Sequence, residues 1–376
     1  MKINWFALNE IKPFDKPEEE KTPKIKEGWL NEAKDYYFSL DDMTEEPYRL
    51  TVTGFTDCEV ELYQLNSTQA HIGRGVTWGE IPQAPEASFY DFLQPFVTQE
   101  ELPTSSSYQL FCLRLTGTAP GKWQGEIRAT QGKISVSKTL TFEVLPLLLP
   151  TQTAPTLELW QYPFAVARYY QIEPKDYFNK AHCERIADLA IGQPHLGDQT
   201  VFRQWCEQRR AKGLATSISN CVGDYPAMFL YSHPLESQWV IWNTVAYGAD
   251  GFLRWALDAW VKDPLVNGSH WYWESGDPFL LYPGTNGTMM SLRFQQMQQA
   301  LNDSRKYLFL QNKQPALVSE VTRLLDGWAQ LSGKTNDYGA QVPFSENETL
   351  QLIQTIQQMH DLLEKGARAY LKESNK

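Results

Sequence analysis

The chain has 376 residues, of which 42% are hydrophobic, and this is enough for two domains with sizeable cores. Its formal net charge is −11 and it has no basic stripe, so nucleic acids and anionic membrane surfaces are poor partners. It has no run of about 18 apolar residues and no signal-peptide core after Met1, so we expect a cytoplasmic protein without a membrane segment.

The first 150 residues have the pattern of a β-sandwich domain. Short segments in which apolar residues alternate with polar ones are separated by turn residues, a pattern typical of sandwiches. The clearest of these segments are 48–54, 58–65, 108–115 and 138–145. A proline-rich stretch at 145–155 then predicts a linker, so we expect the first domain to cover residues 1–150.

Beyond the linker, strand patterns alternate with helix patterns, which favours parallel strands in an α/β arrangement. We predict strands around Leu157, at 214–220, at 252–258 and at 279–282. We predict helices at 174–189, at 201–212 with Thr200 as its cap, at 234–247 and at 291–310.

Together these elements predict a (β/α) barrel-like domain over residues 151–313. The remaining residues, 314–376, predict two helices that pack on this domain. The second helix begins after Ser345, which forms a capping-box pattern with Glu348.

Polar residues at the ends of the predicted strands are candidates for a site, because barrel chemistry occurs at the carboxyl ends of the strands. Asp258 ends the predicted strand at 252–258 and is one candidate catalytic carboxylate; alternatively it caps a helix or pairs with Arg254. Asn220 and Tyr225 follow the strand at 214–220 and could bind sugar hydroxyls, or they could only shape a turn.

The loop at 267–277 is the richest candidate, because an aromatic and polar surface suits a sugar ligand. Thirteen Trp and eighteen Tyr fit such clefts as well, although most single Trp side chains fill cores. Glu274 is the second candidate catalytic carboxylate; the alternative is a packed loop without a role in binding. The predicted substrate-binding residues in and after this loop are His270, Trp271, Trp273, Asp277 and Tyr282, with Tyr272 beside them.

Other chemistries lack their motifs in this chain. There is no Gly-rich phosphate loop, no His pair at metal-ligand spacing and no G-x-S-x-G, so we expect no cofactor and no metal. The five cysteines are odd in number and lack a C-x-x-C pair, which favours free thiols over a zinc site.

Several runs of residues resemble glycoside hydrolase family 123 and its uncharacterised bacterial relatives. The runs are 248–260, 276–284 and 291–294 in the second part, and 90–95, 120–127 and 157–163 earlier in the chain. The resemblance implies a β-sandwich followed by a (β/α)₈ barrel, and hydrolysis of β-linked N-acetylgalactosamine assisted by the acetamido group of the substrate. In that scheme an adjacent Asp-Glu pair orients the acetamide and supplies the general acid.

This chain departs from the family pattern in two respects. It contains no Asp-Glu dipeptide, and residues 155–310 are fewer than the ~200–250 that a complete barrel takes. We therefore expect an incomplete barrel whose middle strands are missing at about 191–200. Two functions stay open: a glycosidase that acts on N-acetylhexosamine-containing glycans, and a non-catalytic carbohydrate-binding or scaffold protein. An open sheet also needs cover, from the C-terminal helices or from a second copy in a homo-oligomer.

Overall fold

The computed structural model describes residues 1–8, 23, 25–72, 86–98, 100–104, 106–151, 155–159, 168–169, 171, 189–192, 198–220, 226–329 and 345–374. The chain divides into two compact units. The first comprises Met1–Ser67 and Tyr90–Leu149, and the second comprises Thr68–Phe89 and Pro150–Lys376. The β-rich character with a few helices, predicted from the sequence, is confirmed.

The strands before residue 150 are β1 (Lys2–Phe6), β2 (Lys26–Leu30), β3 (Ala33–Asp41), β4 (Tyr48–Gly54), β5 (Cys58–His71), β6 (Glu86–Pro95), β7 (Tyr108–Gly117), β8 (Gly121–Gln131) and β9 (Ile134–Leu148). The strands predicted at 48–54, 58–65, 108–115 and 138–145 are confirmed as β4, β5, β7 and β9.

The first unit contains two sheets that share one hydrophobic core. In one sheet the strands β1, β3, β7 and β5 are neighbours in this order, and the other sheet has the order β2-β9-β8-β4. Phe38 and Phe111 of the first sheet stack with their ring centroids 5.3 Å apart. Both belong to the same core as Ile127 and Phe142 of the second sheet. The alternation read from the sequence thus places one face of each strand in this core.

The second unit contains the remaining elements. In chain order they are β10 (Thr156–Leu159), β11 (Leu189–Gly192), α1 (Gln199–Arg210), β12 (Thr216–Asn220), α2 (Glu236–Ala246), β13 (Gly251–Arg254), β14 (Leu281–Gly284), β15 (Gly287–Ser291), α3 (Leu292–Leu310), α4 (Pro315–Ala329) and α5 (Glu346–Ser374).

A parallel sheet is the centre of the second unit. Its described strands follow the order β10-β13-β12-β11, and each neighbouring pair is parallel. The predicted alternation of strands and helices is confirmed from β11 to β13. Strands lie around Leu157 and within 214–220 as predicted, and β13 covers the first part of the strand predicted at 252–258.

Two predictions about this sheet are wrong. The segment 279–282 is not its fourth strand, because β14 pairs antiparallel with β15 instead. The two-residue loop Thr285-Asn286 before Gly287 is a hairpin signal that outweighs the resemblance to a barrel strand. The fourth described strand of this sheet is β11. From the sequence we predicted that residue 189 ends a helix and that strands are missing at about 191–200, so both predictions overlap β11. A short apolar run such as Leu189–Gly192 does not distinguish a strand from a helix end.

The helix ends follow the capping pattern, with one correction. The cap of α1 is Asp198, whose Oδ1 accepts a hydrogen bond from the Val201 amide at 3.0 Å, and not Thr200. Thr200 already lies inside the helix and cannot satisfy the first free amides. The capping box at the start of α5 is confirmed, because the Glu348 amide donates to Ser345 Oγ at 3.3 Å and the Ser345 amide donates to Glu348 Oε2 at 2.9 Å.

The two C-terminal helices pack on α3 and on each other within the second unit. Across the described residues, every helix is too short or too polar to cross a membrane. Cys58, Cys112 and Cys206 are free thiols. Cys183 and Cys221 lie outside the described residues, and so does most of the helix predicted at 174–189.

Candidate functional site

Asn220 and Arg254 end the neighbouring strands β12 and β13, where the predicted site should lie. Asn220 is fully buried, and its Nδ2 donates to the Pro226 carbonyl at 2.9 Å. Its Oδ1 accepts a long hydrogen bond of 3.4 Å from Arg254 Nη1. These hydrogen bonds connect Asn220 to the chain that follows β12 and to Arg254.

A buried ion pair joins Arg254 to Asp277. Arg254 Nη2 donates to Asp277 Oδ1 at 2.6 Å and also to the Asp277 carbonyl, and both side chains are 0% exposed. The second carboxylate oxygen accepts a hydrogen bond from Trp255 Nε1 at 3.0 Å. Asp277, predicted to bind substrate, thus fixes the end of the 267–277 loop to β13.

Asp258 lies beyond β13 rather than at its end. The strand stops at Arg254, so the predicted extension to residue 258 is wrong. The chain leaves the parallel sheet because it pairs with a later segment: Asp258 forms an antiparallel bridge with Phe279, and the Leu280 amide donates to the Leu257 carbonyl at 2.9 Å. Asp258 is nearly buried there, and Arg254, its alternative predicted partner, binds Asp277 instead.

We name residues His270–Glu274 the aromatic loop. His270 Nδ1 accepts hydrogen bonds from the Tyr272 amide at 3.0 Å and from the Trp273 amide at 2.9 Å. The imidazole stacks with Trp271 and with Trp273, with centroid distances of 5.8 and 6.4 Å. Trp271 is 71% exposed and Tyr272 is 37% exposed. The predicted aromatic surface therefore exists and faces solvent.

Trp255 packs against the aromatic loop through a contact with Trp273. The rings of Trp255 and Trp273 meet edge to face, with centroids 5.5 Å apart and an interplanar angle of 62°. Tyr272 contacts Trp273 in the same manner at 4.2 Å. Asp277 orients the Trp255 indole, Trp255 contacts Trp273, and Trp273 contacts His270. The buried ion pair therefore helps to fix the position of the aromatic loop.

Burial lowers the pKa of His270 below its ordinary value, which is the largest effect on this ring. The charge of Asp277 opposes the shift and the charge of Arg168 adds to it. The imidazole is therefore held in its neutral form, in agreement with the two amides that point at Nδ1.

Glu274 joins the aromatic loop to the segment after β12. Its Oε2 accepts a hydrogen bond from the Tyr231 hydroxyl, and the neighbouring Leu230 amide donates to the Ser275 carbonyl at 2.9 Å. Arg293, at the start of α3, donates from Nη1 to the carbonyls of Met228 and Gly276 at 2.6 and 2.7 Å. The sequence pattern did not identify Tyr231 or Arg293, because both act on irregular backbone that has no periodic signal.

Glu236 was also missed. It begins α2 and is almost completely buried, and its two oxygens accept hydrogen bonds from the Ala227 amide at 2.9 Å and the His233 amide at 3.2 Å. Burial raises its pKa to about 7. In the sequence it looked like an ordinary acid in the first turn of a helix.

The last two predicted residues have different outcomes. Tyr282 is fully buried in β14, and its ring packs edge to face on Phe279 with centroids 5.1 Å apart. Tyr225 lies outside the described residues, as does Asp224. In the described ranges, no three His, Cys, Asp or Glu side chains come together as ligands for a metal ion.

Comparisons with known proteins confirm the resemblance to glycoside hydrolase family 123. The family model described as "Glycoside hydrolase 123, catalytic domain" matches residues 175–310. The fold is similar to that of a family 123 glycoside hydrolase from Clostridium perfringens, described in terms of glycolipid glycan hydrolysis: the TM-score is 0.77 at 18% identity, with 93% of this chain and 94% of that chain covered.

Other matches carry less information. A conjugative transposon lipoprotein from Bacteroides eggerthii reaches a TM-score of only 0.20 at 9% identity, with 32% of this chain and 91% of that chain covered. No curated protein matches the chain.

Proposed function

We propose that this protein binds N-acetylhexosamine-containing glycans at the aromatic loop and does not hydrolyse them. The observation that carries the proposal is the indole of Trp271, which is 71% exposed and stacked on His270. An exposed indole that already stacks on a neighbouring ring loses little conformational freedom when a ligand binds. It also offers the flat apolar surface on which the face of a pyranose ring can stack.

The carboxylates near the loop support binding rather than turnover. Asp277 has both oxygens engaged by Arg254 and Trp255, and Asp258 is nearly buried. Glu274 accepts the hydroxyl of Tyr231. A glycosidase needs a carboxyl group free to donate a proton to the leaving group, and the Asp-Glu dipeptide that the resemblance implies does not occur in the sequence.

The order of the parallel strands supports an incomplete barrel. In a complete barrel the first strand pairs with the last. Among the described parallel strands, β10 comes first in the chain and β13 comes last, and these two strands pair. On the other side of β13, β12 and then β11 complete the described sheet. The four strands thus correspond to places 1, 8, 7 and 6 of a barrel. Each strand–helix unit takes about 30 residues, and the interval at 160–188 is about as long as one such unit. Four further units do not fit there.

We also propose that the first unit is a β-sandwich, that the domain boundaries lie at residues 150 and 313, and that the protein is cytoplasmic. The same holds for a homo-oligomer in which a second copy covers the outer strands β10 and β11 of the described sheet. The homo-oligomer depends on the open sheet, and none of these proposals depends on the glycan.

A second candidate function is hydrolysis with Glu274 as the acid and Asp258 as the group that holds the acetamide. The position of Glu274 favours it, because this carboxyl belongs to the aromatic loop in which Trp271 and Tyr272 are exposed to solvent. An aryl N-acetyl-β-galactosaminide tests it directly: release of the aryl group that is lost in Glu274→Gln or Asp258→Asn would favour the enzyme.

A panel of immobilised glycans that end in N-acetylgalactosamine or N-acetylglucosamine tests the proposed function. We expect retention of the full-length protein on such glycans and loss of retention in Trp271→Ala. Trp205→Ala, which removes a partly exposed indole from α1 in the same unit, is the matched control and should bind like the wild type. Retention unchanged by Trp271→Ala would contradict the proposal.

A further inference from the structure

We propose that Leu230 is a positioning residue for the glycan site: the two flanks of the aromatic loop close on its side chain, and this contact holds the exposed ring of Trp271 in its binding position. The exposed indole of Trp271 together with its neighbour Tyr272 is called the platform below. This inference rests on the proposed function, and it adds the residue on which the order of the platform depends.

Two glycines flank the aromatic loop, and both lie against Leu230. Gly268 comes two residues before the loop begins, and Gly276 comes two residues after it ends. A methyl group on Gly268 would lie 2.6 Å from Leu230 Cδ1, and a methyl group on Gly276 would lie 2.6 Å from Leu230 Cγ. Carbon atoms in contact need about 3.5–4.0 Å. The two flanks therefore reach one leucine side chain only because neither glycine carries a side chain.

The backbone supports the same contact at the second flank. Gly276 has a φ of +80°, a conformation that favours glycine. The Leu230 amide donates to the carbonyl of Ser275, the residue before this glycine, at 2.9 Å. Leu230 is thus joined to the second flank through its backbone as well as through its side chain.

An earlier part of the chain also packs against Leu230. This side chain is 6% exposed and shares a small core with the end of β5 and the start of β6, which contribute Ala70, Ala87 and Phe89. Although it precedes residue 150, the segment Thr68–Phe89 belongs to the same compact unit as the aromatic loop. The ends of these two strands therefore help to keep Leu230 in place.

Hydrogen bonds join the end of β5 to the first flank of the aromatic loop. The Gly268 amide donates to the Gln69 carbonyl at 2.8 Å, and the Gln69 amide donates to the Val266 carbonyl at 3.1 Å. The His71 amide donates to Ser269 Oγ at 2.8 Å. The first flank therefore has a fixed position before any ligand arrives.

This closure orders the platform in advance of binding. The rings of Trp271 and Tyr272 are 71% and 37% exposed, so burial of these two rings does little to order the loop. A loop that is open at its base samples many conformations, and a ligand that binds one of them loses affinity in proportion. Leu230 is itself buried, so its effect on affinity reaches the sugar through the loop.

Two single variants and their combination test the contact. Leu230→Ala removes the side chain on which the flanks close, and Gly268→Ala places a methyl group against Leu230 Cδ1. In the double variant the new methyl group enters the space that the leucine leaves, so part of the closure should return.

Two controls match these changes. Ile356→Ala truncates a buried side chain of α5, so it lowers stability without a change at the aromatic loop. Gly327→Ala adds a methyl group in α4, where it would meet no atom of the described residues within 4 Å.

Hydrogen exchange of the full-length protein, followed by mass spectrometry, reports the closure without a ligand. The amides of Gly268, Tyr272 and Trp273 are hydrogen-bonded in the closed loop. Peptides that cover 268–276 should exchange about tenfold faster in Leu230→Ala and in Gly268→Ala than in the wild type, and more slowly again in the double variant. Both controls should exchange like the wild type in this region.

Titration calorimetry with methyl N-acetyl-β-galactosaminide measures the affinity of the same proteins. Each single variant should bind about tenfold more weakly than the wild type, and the controls should stay within about twofold. The double variant should bind more tightly than Gly268→Ala. This rescue separates positioning from a general loss of stability, which a second truncation would only increase.

Unchanged exchange at 268–276 and unchanged affinity in both single variants would overturn the inference and leave the proposed function intact. Faster exchange with wild-type affinity would also overturn it, because binding would then not need the closed loop. A wild type that does not bind the sugar would overturn the proposed function together with the role of Leu230 in it, so the two failures are distinguishable.

Discussion

At the scale of single residues, the pair Arg254–Asp277 is the centre of the site. Both ions are removed from water, and the cost is offset only because Asp277 receives the guanidinium and the Trp255 indole together. The pair connects β13 to the end of the aromatic loop. Asp277 is thus a positioning residue for the platform on which we expect the sugar to lie.

Asp277→Asn should lower the free energy of unfolding by about 3 kcal/mol, because it leaves the Arg254 charge buried without a counter-ion. Urea denaturation at neutral pH measures the change. The double variant Arg254→Met with Asp277→Leu removes both charges and should recover part of the loss. A loss below about 0.5 kcal/mol for the single variant would show that the pair is accessible to solvent.

Glu236 predicts a pH dependence of stability. Its folded pKa of about 7 lies above that of an unfolded glutamate, so the folded state binds more protons between these two values. The free energy of unfolding should therefore fall as the pH rises from about 4.5 to 7, by about 3 kcal/mol from this group.

Denaturation of the wild type and of Glu236→Gln across this range measures the effect. The variant should lose this part of the slope, and Glu207→Gln on the exposed face of α1 is the control. The same slope in Glu236→Gln and in the wild type would contradict the assignment to Glu236.

At the scale of elements, the sequence predicted strands and helices where periodicity and caps agree. The strands β4, β7 and β12 and the helices α2 and α3 have strong alternation or clear ends. Errors occurred where tertiary pairing decides. The chain after Arg254 pairs with residues 278–281 and leaves the parallel sheet, and no local signal announces this.

The helix α5 shows how periodicity places a stripe in the core. Leu352, Ile356, Met359 and Leu363 are buried at spacings of three and four, whereas Leu350 of the same helix is 53% exposed. Ile356→Ala should cost about 2–5 kcal/mol by thermal or chemical unfolding, because it opens a cavity that neighbours cannot fill. Leu350→Ala is the matched control and should change stability by less than about 0.5 kcal/mol. Equal effects would contradict the packing of this face.

The site, like the secondary structure, could be predicted only where the sequence has a local signal. The aromatic loop was found because five aromatic and polar residues stand together in the sequence, at His270–Glu274. The partners that hold it, Tyr231, Trp255 and Arg293, come from three separate segments. Their roles depend on distances that only the folded chain defines. Asn220 and Asp277 were identified as polar residues near strand ends, but their burial could not be derived from the sequence.

At the scale of the whole molecule, the strand order links the fold to the proposed loss of turnover. The described strands have the order β10-β13-β12-β11, and in the incomplete barrel that we propose they would form the seam where first and last strands meet. Catalytic residues of barrel enzymes come from the ends of several strands. A chain that keeps only part of the strands can retain a surface for sugar without retaining the pair of acids.

The open sheet that we propose also predicts association. If a second copy covers β10 and β11, light scattering coupled to size exclusion should give twice the mass of the chain, at concentrations well above the dissociation constant. A monomer at every concentration would instead assign the cover to elements of the same chain and would contradict the homo-oligomer.

The most direct test follows binding and turnover in one NMR sample of the full-length protein with methyl N-acetyl-β-galactosaminide at neutral pH. Saturation transfer from protein to sugar reports binding, and the anomeric proton of any released N-acetylgalactosamine reports hydrolysis. We expect saturation transfer that disappears in Trp271→Ala and no released sugar over hours. Release of sugar by the wild type, abolished in Glu274→Gln, would contradict the account.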